Sequence, residues 1–198
     1  MSEKDISRAV KLIAELSIDR ASQVFSKTIR SGAKIEFDKA YIADISNLTE
    51  NAYSSDREVV CAFVDLKGEY SFRFIFYIDD KDSLKLADLI LRKEIGTTKE
   101  YNIYAESAVQ EIGNILASTV ANVFAAHINV SLKPMPPIVV RDFLGAIFQE
   151  YLIEALGDRD EILTIETKFH LVKTDIRCAM FLIPYPGSEK IFEIMDGS

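Results

Sequence analysis

The run Ser107-Ala-Val-Gln-Glu111-Ile-Gly-Asn114-Ile places polar and apolar residues at helical spacing. At about 100° per residue, Ser107, Glu111 and Asn114 fall within roughly 60° of one another on a helix. The opposite face is apolar and carries Val109, Ile112, Leu116, Val120 and Val123. The pattern predicts a long amphipathic helix that buries its apolar side and presents a hydroxyl, a carboxylate and a carboxamide on the other.

The chain contains a second, weaker copy of this pattern. A shift of 99 positions carries Phe25 onto Phe124, and a later shift of 105 carries Ser83 onto Ser188. Nearly constant shifts with matching apolar positions indicate an internal duplication. The expected organisation is a single domain over 1–198 with pseudo-twofold symmetry, made of a first repeat over about 1–96 and a second over about 97–198.

Both halves follow the same order of elements. The predicted elements are long helices over about 3–30 and 99–127, strands over 33–43 and 129–140, hairpins pairing 59–66 with 70–77 and 163–172 with 176–183, closing helices over 82–93 and 188–195, and an extra helix within 141–156. Because Pro134, Pro136 and Pro137 lack a backbone N–H, the stretch over 129–140 is expected to be either an edge strand or an extended arm. The fold class is α+β: an antiparallel sheet with two long symmetry-related helices on one face.

The composition favours a soluble protein that does not bind nucleic acid. The net charge is −8 and the sequence pI is about 4.9, and no basic stripe is present to neutralise phosphates. The sequence has no leader-like apolar segment and no apolar run long enough to span a membrane. Cys61 and Cys178 stand among apolar neighbours and are interpreted as reduced core thiols. We therefore expect a cytoplasmic location without membrane insertion.

No residue pattern indicates a metal site of the protein's own. His127 and His170 stand without neighbouring ligands at metal-binding spacing. The acidic run 79–82 lacks the remainder of a calcium loop, so it is interpreted as a turn leading into a helix N-terminus.

The spacing Ser107-x3-Glu111-x2-Asn114-x22-Pro137 resembles the signature of the CheC/CheX/FliY family of bacterial and archaeal chemotaxis phosphatases. The closing segment Ile183-Pro-Tyr-Pro-Gly187 is also similar to that family. The likeness extends over nearly the whole chain and includes the duplicated architecture.

The resemblance implies hydrolysis of the aspartyl phosphate of a receiver domain, CheY-P. That substrate supplies Mg²⁺ and a lysine, so no cofactor of the protein's own is implied. Glu111 and Asn114 are the implied catalytic residues: Asn114 orients the attacking water, and Glu111 pairs with the receiver lysine. Ser107 and Pro137 are the implied contacts to the substrate protein. The small residues Gly113 and Ala117 are expected to let a partner surface approach closely.

The first repeat departs from the family pattern. Arg8, Leu12 and Glu15 occupy the places of the hydroxyl, the carboxylate and the carboxamide, so this copy is predicted to be inactive. The alternative function is a non-catalytic adaptor that binds CheY-P or CheD in the chemotaxis or flagellar switch system. CheD is a possible partner in either case, and a monomer is favoured.

Overall fold

The computed structural model describes residues 8–29, 34–44, 57–152, 155, 157, 161–171 and 174–196. Within them the helices are α1 (Arg8–Ile29), α2 (Asp80–Ile90), α3 (Ile103–Ile128), α4 (Leu144–Tyr151) and α5 (Lys190–Asp196). The strands are β1 (Lys34–Asp44), β2 (Glu58–Lys67), β3 (Phe72–Asp79), β4 (Lys133–Pro134), β5 (Ile138–Phe143), β6 (Glu161–Leu171) and β7 (Ile176–Pro184). Residues 3–7 and 30 of the first predicted helix lie outside the described residues.

The strands form one antiparallel sheet in the order β1-β6-β7-β3-β2, and β4 and β5 both pair with β2. The two predicted hairpins are confirmed, with Leu66 opposite Phe72 in β2–β3 and Leu171 opposite Ile176 in β6–β7. The expected edge position of the proline-containing segment is also confirmed, since β4 and β5 lie along the outer side of β2. The α+β class is therefore correct.

The alternation of β2 builds two cores on opposite faces of the sheet. Val60, Ala62, Val64 and Leu66 are buried with residues of α1 and α3 in the larger core. Val59, Cys61 and Phe63 are buried with residues of α4 in the smaller one. The sheet thus has a long-helix face, as predicted, and a second face that α4 covers.

The extra helix is shorter than the sequence indicates. Only Leu144–Tyr151 is helical, and residues 153, 154 and 156 lie outside the described part. Arg141–Phe143 belong to β5, where they pair with Glu58–Val60 of β2. The free edge of β2 offers these residues inter-strand hydrogen bonds, which override their helix-like pattern.

The acidic run 79–82 is the start of α2, as predicted. Its carboxylates also hold neighbouring strands: Asp80 accepts from Arg141 Nε at 2.6 Å and from Nη2 at 3.1 Å. Asp82 accepts from the backbone N–H of Arg177 at 3.0 Å. Acidic groups at a helix N-terminus also interact favourably with the helix dipole.

The two cysteines are buried and free, as expected from their apolar neighbours. Burial raises the pKa of both thiols well above the ordinary value. Cys61 lies in the smaller core and Cys178 in the larger, on opposite faces of the sheet. Separately, the described helices include none whose length and hydropathy would suit a membrane span.

α3 lies unusually close to the sheet at Gly113. A Cβ built on Gly113 would stand 2.6 Å from the Cβ of Ala62, closer than two such atoms can approach. Gly113 and Ala117 are both buried against the protein's own core. The expectation that these small residues admit a partner surface is therefore wrong, since both are buried and Gly113 lies against Ala62 of β2.

Gly113→Ala should lower the free energy of unfolding by about 1–3 kcal/mol, because the added methyl overpacks the contact with Ala62. Helix propensity alone predicts the opposite effect, an increase in the free energy of unfolding of about 0.5–1 kcal/mol. Urea unfolding followed by circular dichroism measures the difference. The exposed Gln110→Ala is the matched control on the same helix, and a stabilised Gly113→Ala protein would contradict the close contact.

Candidate functional site

The two ends of α3 are fixed by asparagines. The Asn102 side chain accepts from the backbone N–H groups of Tyr104 at 2.9 Å and Ala105 at 3.3 Å, which satisfies unpaired donors of the first turn. At the other end Asn129 takes a φ of 52°, the left-handed conformation that commonly terminates a helix. α3 is therefore a helix of 26 residues with both ends fixed.

Ser107, Glu111 and Asn114 are all exposed on the outer face of α3. Residues three and four apart on a helix have Cβ atoms about 5–6 Å apart, so the three side chains are neighbours. From the part of the chain that the structure describes, no hydrogen bond or ion pair reaches any of these three side chains. Their polar atoms are therefore available to a partner.

Pro137 is half-buried and stands immediately before β5. Ala62, which lies beneath Gly113, is opposite Val139 in the β2–β5 pairing. Val139 packs against the same core as α3, and alternation along an extended strand puts Pro137 on that side of the sheet. The fold thus brings Pro137 to the sheet edge beside the helix that carries Asn114.

The positions on α1 that lie 99 residues before this stripe present different chemistry. Arg8, Leu12 and Glu15 are exposed, and Leu12 keeps 47% of its accessible surface. This face lacks both the carboxamide and the carboxylate at the corresponding spacing. The two long helices therefore present unlike exposed faces.

A buried carboxylate fixes the segment that leads into α3. Asp88 accepts from the backbone N–H groups of Gly96 at 2.8 Å and Thr97 at 2.9 Å, and from the Thr98 hydroxyl at 2.6 Å. Burial alone raises the pKa of Asp88, but these hydrogen bonds outweigh it and hold the pKa below the ordinary range. The residue pattern of the sequence did not predict this contact.

Two exposed apolar residues in the first turn of α3 were not predicted as functional from the sequence. Ile103 is 65% exposed and Tyr104 is 56% exposed. Helical spacing could have identified them, because both lie N-terminal to Ser107 and Glu111 on the same face of the helix.

An exposed carboxylate and carboxamide can orient groups brought by a partner. The carboxamide both donates and accepts, and the carboxylate accepts hydrogen bonds or pairs with a cation. These interactions strengthen when a covering surface removes water. Among the described residues no group of three or more His, Cys, Asp and Glu side chains could hold a metal ion.

Residues 105–141 match the model of the CheC-like family. This segment contains Ser107, Glu111, Asn114 and Pro137. Over 206 aligned residues the chain is 22% identical to the CheY-P phosphatase CheC of Bacillus subtilis (strain 168), covering 99% of this chain and 95% of that protein. The chain is therefore similar to CheC-type proteins over nearly its whole length.

Two solved structures share the fold. FliY of Thermotoga maritima superposes with a TM-score of 0.75 at 16% identity, covering 93% of this chain and 92% of that one. A structure of CheX from Borrelia burgdorferi, in complex with CheY, BeF3 and Mg²⁺, gives a TM-score of 0.57 at 18% identity, covering 86% of this chain and 96% of that one. The CheC-type fold therefore extends well beyond the segment that the family model matches.

Asp88→Asn should lower the free energy of unfolding by about 1.5–3 kcal/mol at pH 7, because the amide cannot accept all the bonds that the carboxylate accepts. The folded-state pKa of Asp88 is depressed, so its stabilisation is complete above the unfolded-state pKa and is lost as pH falls through the folded value. The difference between wild type and variant should therefore be constant above about pH 5 and shrink below about pH 4. Urea unfolding across pH tests this, with the exposed Glu193→Gln as control, and a pH-independent difference would exclude a charge effect.

Proposed function

We propose that the protein is a protein-aspartyl-phosphate phosphatase that dephosphorylates CheY-P. The proposal rests on the position of Glu111 and Asn114. Both side chains are exposed, neither is bound to another described residue, and they lie one turn apart on the same helix. Both lie inside the segment that matches the CheC-like family. A relative named CheY-P phosphatase CheC and a similar CheX structure containing CheY support the substrate.

Asn114 is proposed to orient the attacking water. The water oxygen bonds to phosphorus while the bond between phosphorus and the aspartyl oxygen breaks, which releases the aspartate carboxylate and inorganic phosphate. Catalysis of this type is mostly positioning. The carboxamide oxygen accepts from the water and adds no negative charge beside the phosphoryl oxygens, whereas a carboxylate at the same place would repel them.

Glu111 is proposed to pair with the receiver lysine and thereby set the register of the two proteins. A hydrogen bond to a charged group contributes about 1.5–3 kcal/mol once covered. Ser107 lies one turn earlier on the same face and is proposed to contact the receiver. Pro137, at the neighbouring sheet edge, shapes the contact surface. The Mg²⁺ belongs to the receiver-domain substrate, so the protein is proposed to need no cofactor of its own.

The two-repeat organisation is proposed as the origin of this arrangement. The strand order supports it: the hairpins β2–β3 and β6–β7 meet at β3 and β7, with β5 flanking one and β1 flanking the other. The long helices α1 and α3 cover the same face of that sheet. Under this proposal the first repeat, with Arg8, Leu12 and Glu15, has no catalytic role.

A second candidate is a non-catalytic adaptor that binds CheY-P or CheD. The absence of the motif from α1 favours this alternative, and the fold is also similar to that of the FliM middle domain of H. pylori, with a TM-score of 0.67 at 12% identity. Both functions fit a cytoplasmic monomer, and both use the exposed face of α3. They differ in whether the bound phosphate is hydrolysed faster than it decays alone.

Asn114→Ala should lower the rate of CheY-P hydrolysis by about 10²-fold, because the water loses its orienting acceptor. The assay mixes the purified protein, phosphorylated CheY from the same organism and Mg²⁺, and follows loss of the phosphoryl group. Glu15→Ala is the matched control, since it changes the corresponding position on α1 and should leave the rate close to that of wild type.

Two results would contradict the proposal. If wild type and Asn114→Ala both leave the intrinsic decay of CheY-P unchanged while CheY-P or CheD still binds, the adaptor function is correct. If Glu15→Ala causes a large loss of activity, the assignment of α1 as inactive is wrong.

A further inference from the structure

Exposed apolar side chains meet the polar stripe of α3 at its N-terminal end. Ile103 is the most exposed large apolar residue in the described part of the chain, at 65%, and Tyr104 beside it is 56% exposed. Single exposed apolar residues are common and carry no meaning. Two adjacent exposed apolar residues beside a proposed binding site are more informative than a single one, because contiguous apolar surface marks interaction sites.

Helical spacing makes this pair continuous with the site. Ile103 lies four residues before Ser107, and Tyr104 lies three before it and seven before Glu111. Residues at these separations share a face and are neighbours along it. A surface that covers Glu111 and Asn114 and extends by about two helical turns toward the N-terminus therefore also covers Ile103 and Tyr104.

The pair is also held rigidly. The Asn102 cap fixes the first turn, and the buried Asp88 fixes the preceding loop. Lys93 Nζ lies 5.4 Å from the centroid of the Tyr104 ring, within the range of a cation–π contact. A preorganised apolar pair loses little conformational entropy when a partner covers it.

We propose that Ile103 and Tyr104 form an apolar anchor that binds the receiver domain beside its aspartyl phosphate. This inference rests on the proposed function, since it takes the same partner for the same face. The polar stripe alone provides little affinity, because exposed ion pairs are weak before they are desolvated. Tight interfaces usually depend on a few buried anchors, among which tyrosine is enriched. Under this proposal the first turn of α3 provides most of the binding affinity, and Asn114 orients the attacking water.

The test separates binding from hydrolysis. The Ile103→Ser/Tyr104→Ser double variant should raise the Kd for CheY activated with beryllofluoride and Mg²⁺, and the KM for CheY-P, by about tenfold or more. The kcat should stay within about twofold of wild type, because no reacting group is removed. Ile194→Ser is the matched control: Ile194 is 54% exposed, but it lies on α5. Circular dichroism and thermal unfolding check that each variant is folded.

Three outcomes decide the inference. A raised Kd and KM for the double variant, with Ile194→Ser unchanged, supports the anchor. Unchanged Kd and KM in the double variant, while Asn114→Ala still loses hydrolysis, overturns the anchor and leaves the proposed function intact. If sedimentation shows a wild-type dimer that the double variant converts to monomer with unchanged receiver binding, the pair is a self-association surface and the anchor is wrong.

If Asn114→Ala and wild type both fail to accelerate hydrolysis, the proposed catalysis fails separately. In that case a raised Kd in the double variant still supports the anchor, now on an adaptor.

Discussion

The contact between Gly113 and Ala62 fixes the position of α3 on the sheet. Only a residue without a side chain allows the helix backbone to approach β2 this closely. Since the contact lies on the buried side, it also sets the rotation of α3 about its own axis. Asn114 follows Gly113 directly, so the same contact that closes the core turns the carboxamide outward. The packing and the site are therefore consequences of one constraint.

Much of this architecture could be predicted from the sequence, because the strongest signals were periodic. The 3.6-residue period of α3 predicted both the buried face and the exposed stripe, and both are present in the structure. The role of Gly113 was predicted incorrectly for a physical reason. Periodicity tells which side of a helix is apolar, but it cannot tell which neighbour a small residue at the boundary will meet. That neighbour is Ala62, 51 positions earlier in the chain.

The second face of the sheet was less predictable. The central strands are buried on both sides, so their apolar runs do not show which elements cover each face. The extra helix was expected, but its place over Val59, Cys61 and Phe63 follows from long-range packing. In the same way, Arg141 looks helical in sequence but lies in β5, where pairing with β2 and the ion pair with Asp80 decide its conformation. Tertiary interactions outweighed local propensity at this point.

The packing fixes where the exposed face of α3 points but not which side chains occupy that face, so the exposed faces of α1 and α3 can differ. Exposed residues with no partners in the folded chain contribute little to stability, so Leu12 can occupy one helix and Glu111 the corresponding place on the other without changing the sheet beneath. A shared fold therefore carries no information about which helix is active, or whether either is. A few exposed groups determine whether a helix can be active. Among the groups on α1 and α3, only a carboxamide next to a carboxylate can orient a water and a partner at the same time. On α3 those groups stand beside an exposed apolar turn, so under the proposed function affinity and chemistry can change independently along one helix.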